Sequence, residues 1–462
     1  MKKLIAIAAA GVVGLLGLTL TNFAVDNRPV LKVANWAEYI DEGDDEKGIE
    51  SLVVEFERWY KQQTGKGIRV EYCIADDNET LYNMLKMGDH FDLICPSEYM
   101  LMKLAAEGRI QKLPESFYDT SLENNYYAKN LSPFIANTFS ENTMADGATW
   151  KEYAAGYMWG TTGFVYNPLF VDEAEVSNWN VFTNAKYSGK MTAKNNIRDT
   201  YFTGLAMHYE TELRALKTQY QAGNLTLTQY QAQLKVLMND TQTDTMGSVK
   251  NQLMGVKDYL YGFETDEGKA KVISGDVIIN YQWSGDAVYV MNVADGSEED
   301  EDIVVTNPVY LNYAIPDTVS NLWFDGWALT SDCKDVDAAT MFINFLSIPE
   351  NAVRNMNYIG YTSCIGSDYV YENFALDCYE ADGEEDLAEY DLNYYFNPEY
   401  VSGDENTRSD AYIFYTTSDQ VKRQLFAQYP DEATLARCVA MDYFNSEANA
   451  RANIMWSDIT FF

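Results

Sequence analysis

Tryptophan, tyrosine and carboxylate residues recur together in short stretches along the chain. An aromatic face attracts a cation by roughly 0.5 to 2 kcal/mol and also lines a slot for methylene groups. A carboxylate adds charge-assisted hydrogen bonds to an ammonium group. Together they are typical of a slot for a linear ligand with two or three ammonium groups. The stretches are WAEY (36–39), PSEY (96–99), YMWGTTG (157–163), NNIRDTYF (195–202), YQWSGDA (281–287), LWFDGW (322–327) and IGYTS (359–363).

The sequence lacks the motifs of common enzymes. It contains no GxSxG, no GxxxxGK[ST] and no GxGxxG that opens a helix. Its two histidines, His90 and His208, belong to no HExxH or similar ligand pattern. We therefore predict a binding protein rather than an enzyme, with no cofactor and no metal.

The acidic composition argues against a polyanionic partner. Lys and Arg number 33 against 70 Asp and Glu, which gives a formal net charge of -37. Such a field repels the phosphates of nucleic acids at long range. We expect no nucleic acid among the partners.

The N-terminal sequence predicts an export signal. Met1, Lys2 and Lys3 precede a long uncharged apolar run, so residues 1–25 are predicted to be a signal peptide or an N-terminal membrane anchor. The protein is then exported, and it is either periplasmic or tethered to the outer face of the cytoplasmic membrane. The six cysteines, which form no CxxC pair, are predicted to be buried small residues.

Short β-branched runs alternate with helical periodicity, which predicts an α/β fold. Residues 48–65 have the pattern of an amphipathic helix that ends at Gly65, and a strand follows directly, as in a β-α-β unit. Residues 209–238 predict a helical hairpin, with Gly223 ending one helix and Thr226 or Thr228 capping the next. The acidic, tyrosine-rich residues 380–400 show no clean period and predict a surface insertion.

The chain resembles the spermidine/putrescine-binding proteins of bacterial ABC importers, which are extracellular solute-binding proteins of the type II periplasmic fold. Seven stretches follow the family's order along nearly the whole chain. They are NWAEYI (35–40), NETLYNMLKMGDHFDLICPSEYMLMKLAAEGRIQKL (78–113), YMWGTTGFVYN (157–167), NNIRDTYF (195–202), SGDVIINYQWSGDA (274–287), LWFDGWALTSDCKDVDAATMFINFLSIPENA (322–352) and IGYTS (359–363).

The resemblance implies two α/β lobes, joined by hinge crossings near residues 159–162 and 323–324, that close on a ligand in the cleft between them. Two insertions, near 209–260 and 373–430, have no counterpart in the family. The implied organisation is 30–158 for the first part of lobe 1, 159–322 for the first part of lobe 2 with the helical insertion at about 209–260, 323–372 for the second part of lobe 1, and 373–462 for the second part of lobe 2 with the acidic, tyrosine-rich insertion.

The resemblance also implies the ligand-binding residues. The aromatic rings would sandwich the methylene and ammonium groups, and the three aspartates would neutralise nitrogens at separate points, because an unpaired buried ammonium is costly. The implied residues are Trp36, Glu38, Tyr39, Ser97, Tyr99, Asp199, Trp283, Asp286, Trp323, Asp325 and Tyr361.

The expected function is that of a monomeric receptor that captures a polyamine outside the membrane and delivers it to the permease subunits of an ABC importer. Asn196 stands where spermidine binders of the family often have a carboxylate, and Asp286 resembles the putrescine-selective pattern, so putrescine is favoured over spermidine. One alternative is a solute-binding protein for another small cationic or amino-acid-like ligand, for which Arg198 is the nearest carboxylate-binding candidate. The other is a surface-exposed interaction protein.

Overall fold

The computed structural model describes residues 26–44, 46–265, 267–298, 303, 305, 308–381, 383 and 386–461. The predicted signal peptide or anchor, residues 1–25, lies outside the described residues. Within these described ranges, no helix combines the length and the apolar character needed to cross a membrane.

The strands are numbered along the chain. They are β1 Val30–Asn35, β2 Arg69–Ile74, β3 Leu93–Ile94, β4 Ile110–Gln111, β5 Ala155–Tyr166, β6 Met191–Lys194, β7 Gly262–Glu264, β8 Ile279–Trp283, β9 Asn312–Ala314, β10 Ser320–Thr330, β11 Thr362–Ser363, β12 Leu387–Asp391, β13 Ile413–Thr417 and β14 Cys438–Val439.

The α-helices are numbered in the same way. They are α1 Leu52–Thr64, α2 Asn78–Met87, α3 Glu98–Ala106, α4 Tyr126–Asn130, α5 Pro133–Glu141, α6 Trp150–Tyr153, α7 Glu173–Val176, α8 Ile197–His208, α9 Glu210–Gln221, α10 Leu227–Met238, α11 Thr243–Lys257, α12 Glu267–Ile273, α13 Ser284–Asp295, α14 Val336–Leu346, α15 Pro349–Ile359, α16 Asp368–Val370, α17 Asp377–Tyr379, α18 Asn393–Phe396, α19 Gln424–Gln428, α20 Glu432–Leu435 and α21 Ser446–Phe461.

The main sheet has the order β2-β1-β3-β10-β5-β8-β6-β7, with four short strands added beside β5 and β10. At one end β1 pairs in parallel with β2 and β3, and at the other end β6 pairs in parallel with β7 and β8. The long strands β5 and β10 are buried throughout and pair with each other in antiparallel fashion. They connect the two parallel groups.

The predicted first β-α-β unit is confirmed. The side chain of Ser51 caps α1 by accepting a hydrogen bond from the backbone N–H of Val54 at 3.3 Å, and Gly65 ends the helix in the left-handed conformation with φ of 72°. Leu52 and Phe56 on one face of α1 are buried. The chain then returns as β2 alongside β1.

The predicted helical hairpin is also confirmed, as α9 and α10. Thr226, rather than Thr228, is the capping residue: its side chain accepts from the N–H of Gln229 at 3.2 Å, and the Gln229 amide oxygen accepts from the N–H of Thr226 at 3.0 Å. Tyr220 and Tyr230 stack with ring centroids 4.6 Å apart. The ring pair joins the two helices, and buried leucines of both, Leu213, Leu216 and Leu234, add to the packing.

The prediction of a surface insertion at residues 380–400 is wrong for its tyrosines. The stretch contains β12 and α18, and Tyr390, Tyr394 and Tyr395 are buried. The hydroxyl of Tyr395 accepts a hydrogen bond from Trp159 Nε1 on β5 at 2.9 Å. A tyrosine ring supplies a large apolar area and needs one polar partner, so tyrosine-rich segments can build a core as well as a surface.

The cysteine prediction holds in part. All six cysteines are free thiols, and Cys95, Cys333, Cys364 and Cys438 are buried. Cys73 is only half-buried and Cys378 is exposed, so for these two the predicted burial is wrong. Cys73 lies near the end of β2, which is the edge strand of the main sheet.

Candidate ligand-binding site

Most of the predicted site residues follow the carboxyl ends of parallel strands. Trp36 follows β1, Ser97 follows β3 by three residues, and Trp283 is the last residue of β8. Asp199 and Asp286 lie in the first turns of α8 and α13, the helices that follow β6 and β8. In open α/β sheets, ligands bind outside these strand ends. The topology therefore places the residues where a ligand site is expected.

Asp325 is the centre of the first group, here called the Asp325 cluster (Trp36, Tyr39, Ser97 and Asp325). Its carboxylate accepts hydrogen bonds from Ser97 Oγ at 2.6 Å, Tyr39 OH at 2.9 Å and Trp36 Nε1 at 3.3 Å. It lies in β10 where the register with β5 shifts, an irregularity that re-aims a side chain. The Asp325 side chain is buried, and burial raises its pKa to about 6 against the pull of these three donors.

A second set of hydrogen bonds orients the Asp325 cluster. Ser97 precedes α3 without capping it, so its hydroxyl is available for Asp325, and it also accepts from Asn78 Nδ2 at 2.9 Å. The Asn78 amide oxygen accepts in return from the N–H of Ser97 at 3.0 Å. Tyr157 OH donates to the carbonyl of Tyr39 at 2.7 Å. These contacts hold the donors in place around the carboxylate.

Tyr361 connects the Asp325 cluster to the second parallel group of strands. Its ring lies 5.6 Å from that of Tyr39 and 5.4 Å from that of Trp323, edge to face in both cases. Burial raises the pKa of the Tyr361 hydroxyl, and the nearby Asp286 carboxylate raises it further. A Cβ at Gly285 would come within 2.2 Å of the Tyr361 ring, so this ring packs directly against backbone that only glycine leaves open.

The second group, here called the Trp283 cluster, consists of Lys194, Asp199, Trp283 and Asp286. The Lys194 ammonium lies 3.9 Å from the centre of the Trp283 ring. Burial raises the pKa of Asp199 to about 6, while Lys194 and the Trp283 side chain act to lower it. Lys269 Nζ lies 3.6 Å from Asp286 Oδ1. This group therefore contains both carboxylates and ammonium groups.

Two predicted site residues have other surroundings. Tyr99 directs its hydroxyl to the carboxylate of Glu79, at 3.3 Å from each oxygen, and its ring is covered by the Arg198 guanidinium at 4.2 Å. Glu38 is exposed and adopts a positive φ of 55°, which is uncommon for a residue other than glycine. The structure brings together Trp36, Tyr39, Ser97, Asp325, Trp323, Tyr361, Trp283, Asp286 and Asp199.

Sequence reasoning missed Lys194 and Glu98. Glu98 is buried, its carboxylate accepts from the N–H of Phe324 at 3.1 Å and of Met441 at 3.3 Å, and burial raises its pKa to about 8. It stands between two predicted residues in PSEY, a position that could have drawn attention to it. Lys194 is the last residue of the short strand β6, and no neighbouring residue in the sequence indicates that its ammonium is buried.

Two surface cavities lie apart from both clusters. One, of about 390 Å³, is lined by residues that include Tyr289, Asp295, Tyr358 and Gln428. The other, of about 460 Å³, is lined by residues that include Tyr166. Neither contains a residue of the Asp325 or Trp283 cluster, and the groups suited to bind cations lie between the two parallel strand groups instead.

Residues 52–367 match the family model of the bacterial extracellular solute-binding proteins. The chain belongs to this family. Relatives of this bacterial extracellular solute-binding protein include the spermidine/putrescine-binding periplasmic protein of Escherichia coli K12, which is 25% identical over 351 residues, 75% of this chain and 81% of the relative. The putrescine-binding periplasmic protein SpuD of Pseudomonas aeruginosa is 26% identical over 356 residues, 76% of this chain and 80% of the relative.

Solved structures confirm the predicted type II periplasmic α/β fold of this solute-binding protein. The spermidine/putrescine ABC transporter substrate-binding protein PotD of Streptococcus pneumoniae superposes with a TM-score of 0.57 at 22% identity, covering 94% of this chain and 99% of that one. The Tp0655 lipoprotein of Treponema pallidum superposes with a TM-score of 0.58 at 16% identity, covering 94% of this chain and 100% of that one. The family match and the relatives named above confirm the resemblance found in the sequence, and these structures confirm the fold.

Proposed function

We propose that the protein is an extracytoplasmic, monomeric receptor that binds a polyamine, with putrescine favoured over spermidine, and delivers it to the permease subunits of an ABC importer. The observation that carries this proposal is the pair of clusters: buried carboxylates at two places, with the rings of Trp323 and Tyr361 between them. Two of its relatives are named as periplasmic proteins that bind spermidine or putrescine. These names support the same ligand class and an exported location.

The carboxylates and rings of the two clusters each match one part of a diamine ligand. Asp325 at one place, and Asp199 and Asp286 at the other, would each accept hydrogen bonds from an ammonium group, which contributes about 1.5 to 3 kcal/mol for a charged partner. The aromatic rings between them would contact the methylene groups and attract the adjacent positive charge. A diamine with a short apolar spacer would thus meet a carboxylate at each end and rings along its length.

We also propose the lobe organisation with boundaries 30–158, 159–322, 323–372 and 373–462. Support comes from the two predicted crossings, which fall within β5 and β10, the long strands that join the parallel groups. A movement of one group against the other about these strands would open and close the cleft.

A second ligand class, amino acids, is favoured by one observation. Arg198 is buried, and its Nε has no hydrogen-bond partner among the described residues. A ligand carboxylate could accept a hydrogen bond from it. Its guanidinium, however, is already stacked between the rings of Tyr99 and Phe444, at 4.2 and 3.8 Å. Amino acids therefore belong in the binding test.

Calorimetric titration of the purified full chain tests the proposal. Putrescine, cadaverine, spermidine and spermine are the polyamine series, and ornithine and γ-aminobutyrate are the amino-acid arms. We expect putrescine to bind at least as tightly as spermidine and both amino acids to bind far more weakly. Absence of binding by every polyamine, or tighter binding of an amino acid, would overturn the assignment. Spermidine binding tenfold or more tightly than putrescine, about 1.4 kcal/mol, would overturn only the preference.

A further inference from the structure

A lysine of the protein occupies a cation position inside the proposed slot. Lys194, the last residue of β6, is 0% exposed. Its ammonium lies 3.9 Å from the centre of the Trp283 ring and donates a hydrogen bond to the carbonyl of Thr265 at 3.0 Å. A cation over the face of a tryptophan is the contact that an ammonium group of a ligand would make there.

The charges that face Lys194 come from four other elements. Glu264 is its register partner on β7, Asp199 lies on α8 and Asp286 on α13; all three favour the charged lysine, whereas Lys269 on α12 opposes it. Burial lowers the pKa of Lys194, and a buried ammonium persists only with such partners. These three carboxylates are the groups that favour the charged form of Lys194.

The Asp325 cluster has no comparable cation in the described part of the chain. The donors to the Asp325 carboxylate are a hydroxyl, a phenol and an indole, from Ser97, Tyr39 and Trp36. These groups are neutral, so they stabilise the negative charge without cancelling it. Asp325 keeps its full charge for a ligand.

We propose that Lys194 is a specificity-determining residue that acts as a resident ammonium on Trp283 and limits the ligand to two positive charges. This inference rests on the proposed polyamine-binding function. Asp199, Glu264 and Asp286 face Lys194, and Asp286 also pairs with Lys269. Arg198 and Glu79 add one charge of each sign beside Asp199. With the charge of Asp325, which faces neither lysine, two negative charges remain, and they match a diamine. The third ammonium of a triamine would meet the like charge of Lys194.

The first test removes the charge at nearly constant length, in Lys194→Met. We expect the ratio of putrescine to spermidine affinity, measured by calorimetry, to shift at least tenfold toward spermidine. Lys194→Arg keeps the cation and should keep the wild-type ratio. Lys190→Met is the matched control, because Lys190 directly precedes β6 and, among the described residues, its exposed ammonium bonds only to the carbonyl of Asp276 at 3.0 Å. It should leave the ratio unchanged.

The second test uses the wild-type full chain and does not depend on a variant that folds. N1- and N8-acetylspermidine are at least as long as spermidine but carry two charges. If Lys194 excludes a third charge, at least one of them should bind tenfold or more tightly than spermidine. Tighter binding of spermidine than of both acetylated forms would overturn the inference, because ligand length rather than charge would then set the limit.

The outcomes distinguish failure of this inference from failure of the proposed polyamine-binding function. If the wild-type protein binds no polyamine, the proposed function fails. If it binds polyamines and Lys194→Met folds, as judged by its melting temperature, but changes both affinities by the same factor, Lys194 has only a structural role. The receptor function would stand in that case and the specificity role would not.

Discussion

The Asp325 and Trp283 clusters are built from the same residue types, yet they present different electrostatics to a ligand. Both contain a buried aspartate whose pKa is raised to about 6 by burial. Asp325 is surrounded by neutral donors, whereas Asp199 shares its site with the ammonium of Lys194. The first cluster offers an uncancelled charge, and the second offers charge that the protein has partly neutralised itself.

This difference indicates a division of roles between the two ends of the slot. The end with the free charge should dominate affinity, because an ammonium there meets a carboxylate with no competing cation. The end with the resident lysine should dominate discrimination between ligands, because each added ligand charge there meets repulsion as well as attraction. Substitutions in the two clusters should therefore change different quantities.

The largest effect is expected at the Asp325 end. Asp325→Asn should weaken putrescine binding by about 1.5 to 3 kcal/mol, since a hydrogen bond between charged groups is lost. The amide oxygen, at the position of Oδ2, still accepts from Tyr39 and Trp36. Titration calorimetry measures the change, and thermal melting checks that the fold survives. Asp332→Asn is the control: this residue follows β10 and pairs at the surface with His90. An unchanged dissociation constant would remove Asp325 from the site.

An intermediate effect is expected from pH. A carboxylate with a pKa of about 6 must lose its proton to bind an ammonium, so affinity should fall by about tenfold per carboxylate between pH 7.5 and 5. The ligand-free protein should respond in the opposite direction. Because the folded pKa of Asp325 lies above its ordinary 3.8, the free energy of unfolding falls as pH rises from about 4 to 6.

Putrescine affinity is measured by calorimetry between pH 7.5 and 5 at constant ionic strength, with wild type and Asp325→Asn. The comparison separates the contribution of Asp325 from that of Asp199. The variant should lose part of the pH dependence and retain the part due to Asp199. Affinity that stays flat down to pH 5 would mean that neither carboxylate titrates in the range given by its burial, and the comparison of the two clusters would lose its electrostatic basis.

The smallest effect is expected from Asn196→Asp near the Trp283 end. The Asn196 side-chain oxygen caps α8 by accepting from the N–H groups of Arg198 at 2.8 Å and Asp199 at 3.4 Å, and aspartate caps helices equally well. The added charge should shift preference toward spermidine by up to about 1 kcal/mol, roughly fivefold. Competition binding measures the shift.

The matched control is Asn178→Asp, another asparagine whose side chain accepts from a backbone N–H two residues on, at 2.9 Å. It should leave the preference for putrescine or spermidine unchanged. A shift of the same size in both variants would trace the effect to overall charge rather than to a carboxylate beside α8.

Local sequence determined the elements and the types of chemistry. Ser51, Gly65 and Thr226 mark helix ends because caps act on neighbouring backbone groups, and a few residues are enough to specify them. The aromatic and acidic stretches contain most of the residues of the two clusters, and the resemblance to the family implied which of them bind ligand. Local reasoning did not reach the arrangement of these stretches in space, the burial of Lys194 or the burial of the tyrosines in 380–400.

The tertiary structure decided which charges are cancelled and which rings form the core. Trp36 and Asp325 are 289 positions apart, and Trp159 meets Tyr395 from 236 positions away. The burial of Lys194 over Trp283 depends on β6 and β8 lying side by side. Whether a polar group is solvated, paired or buried depends on atoms from distant segments, so a lysine in the sequence is a surface residue by default until the fold supplies its partners.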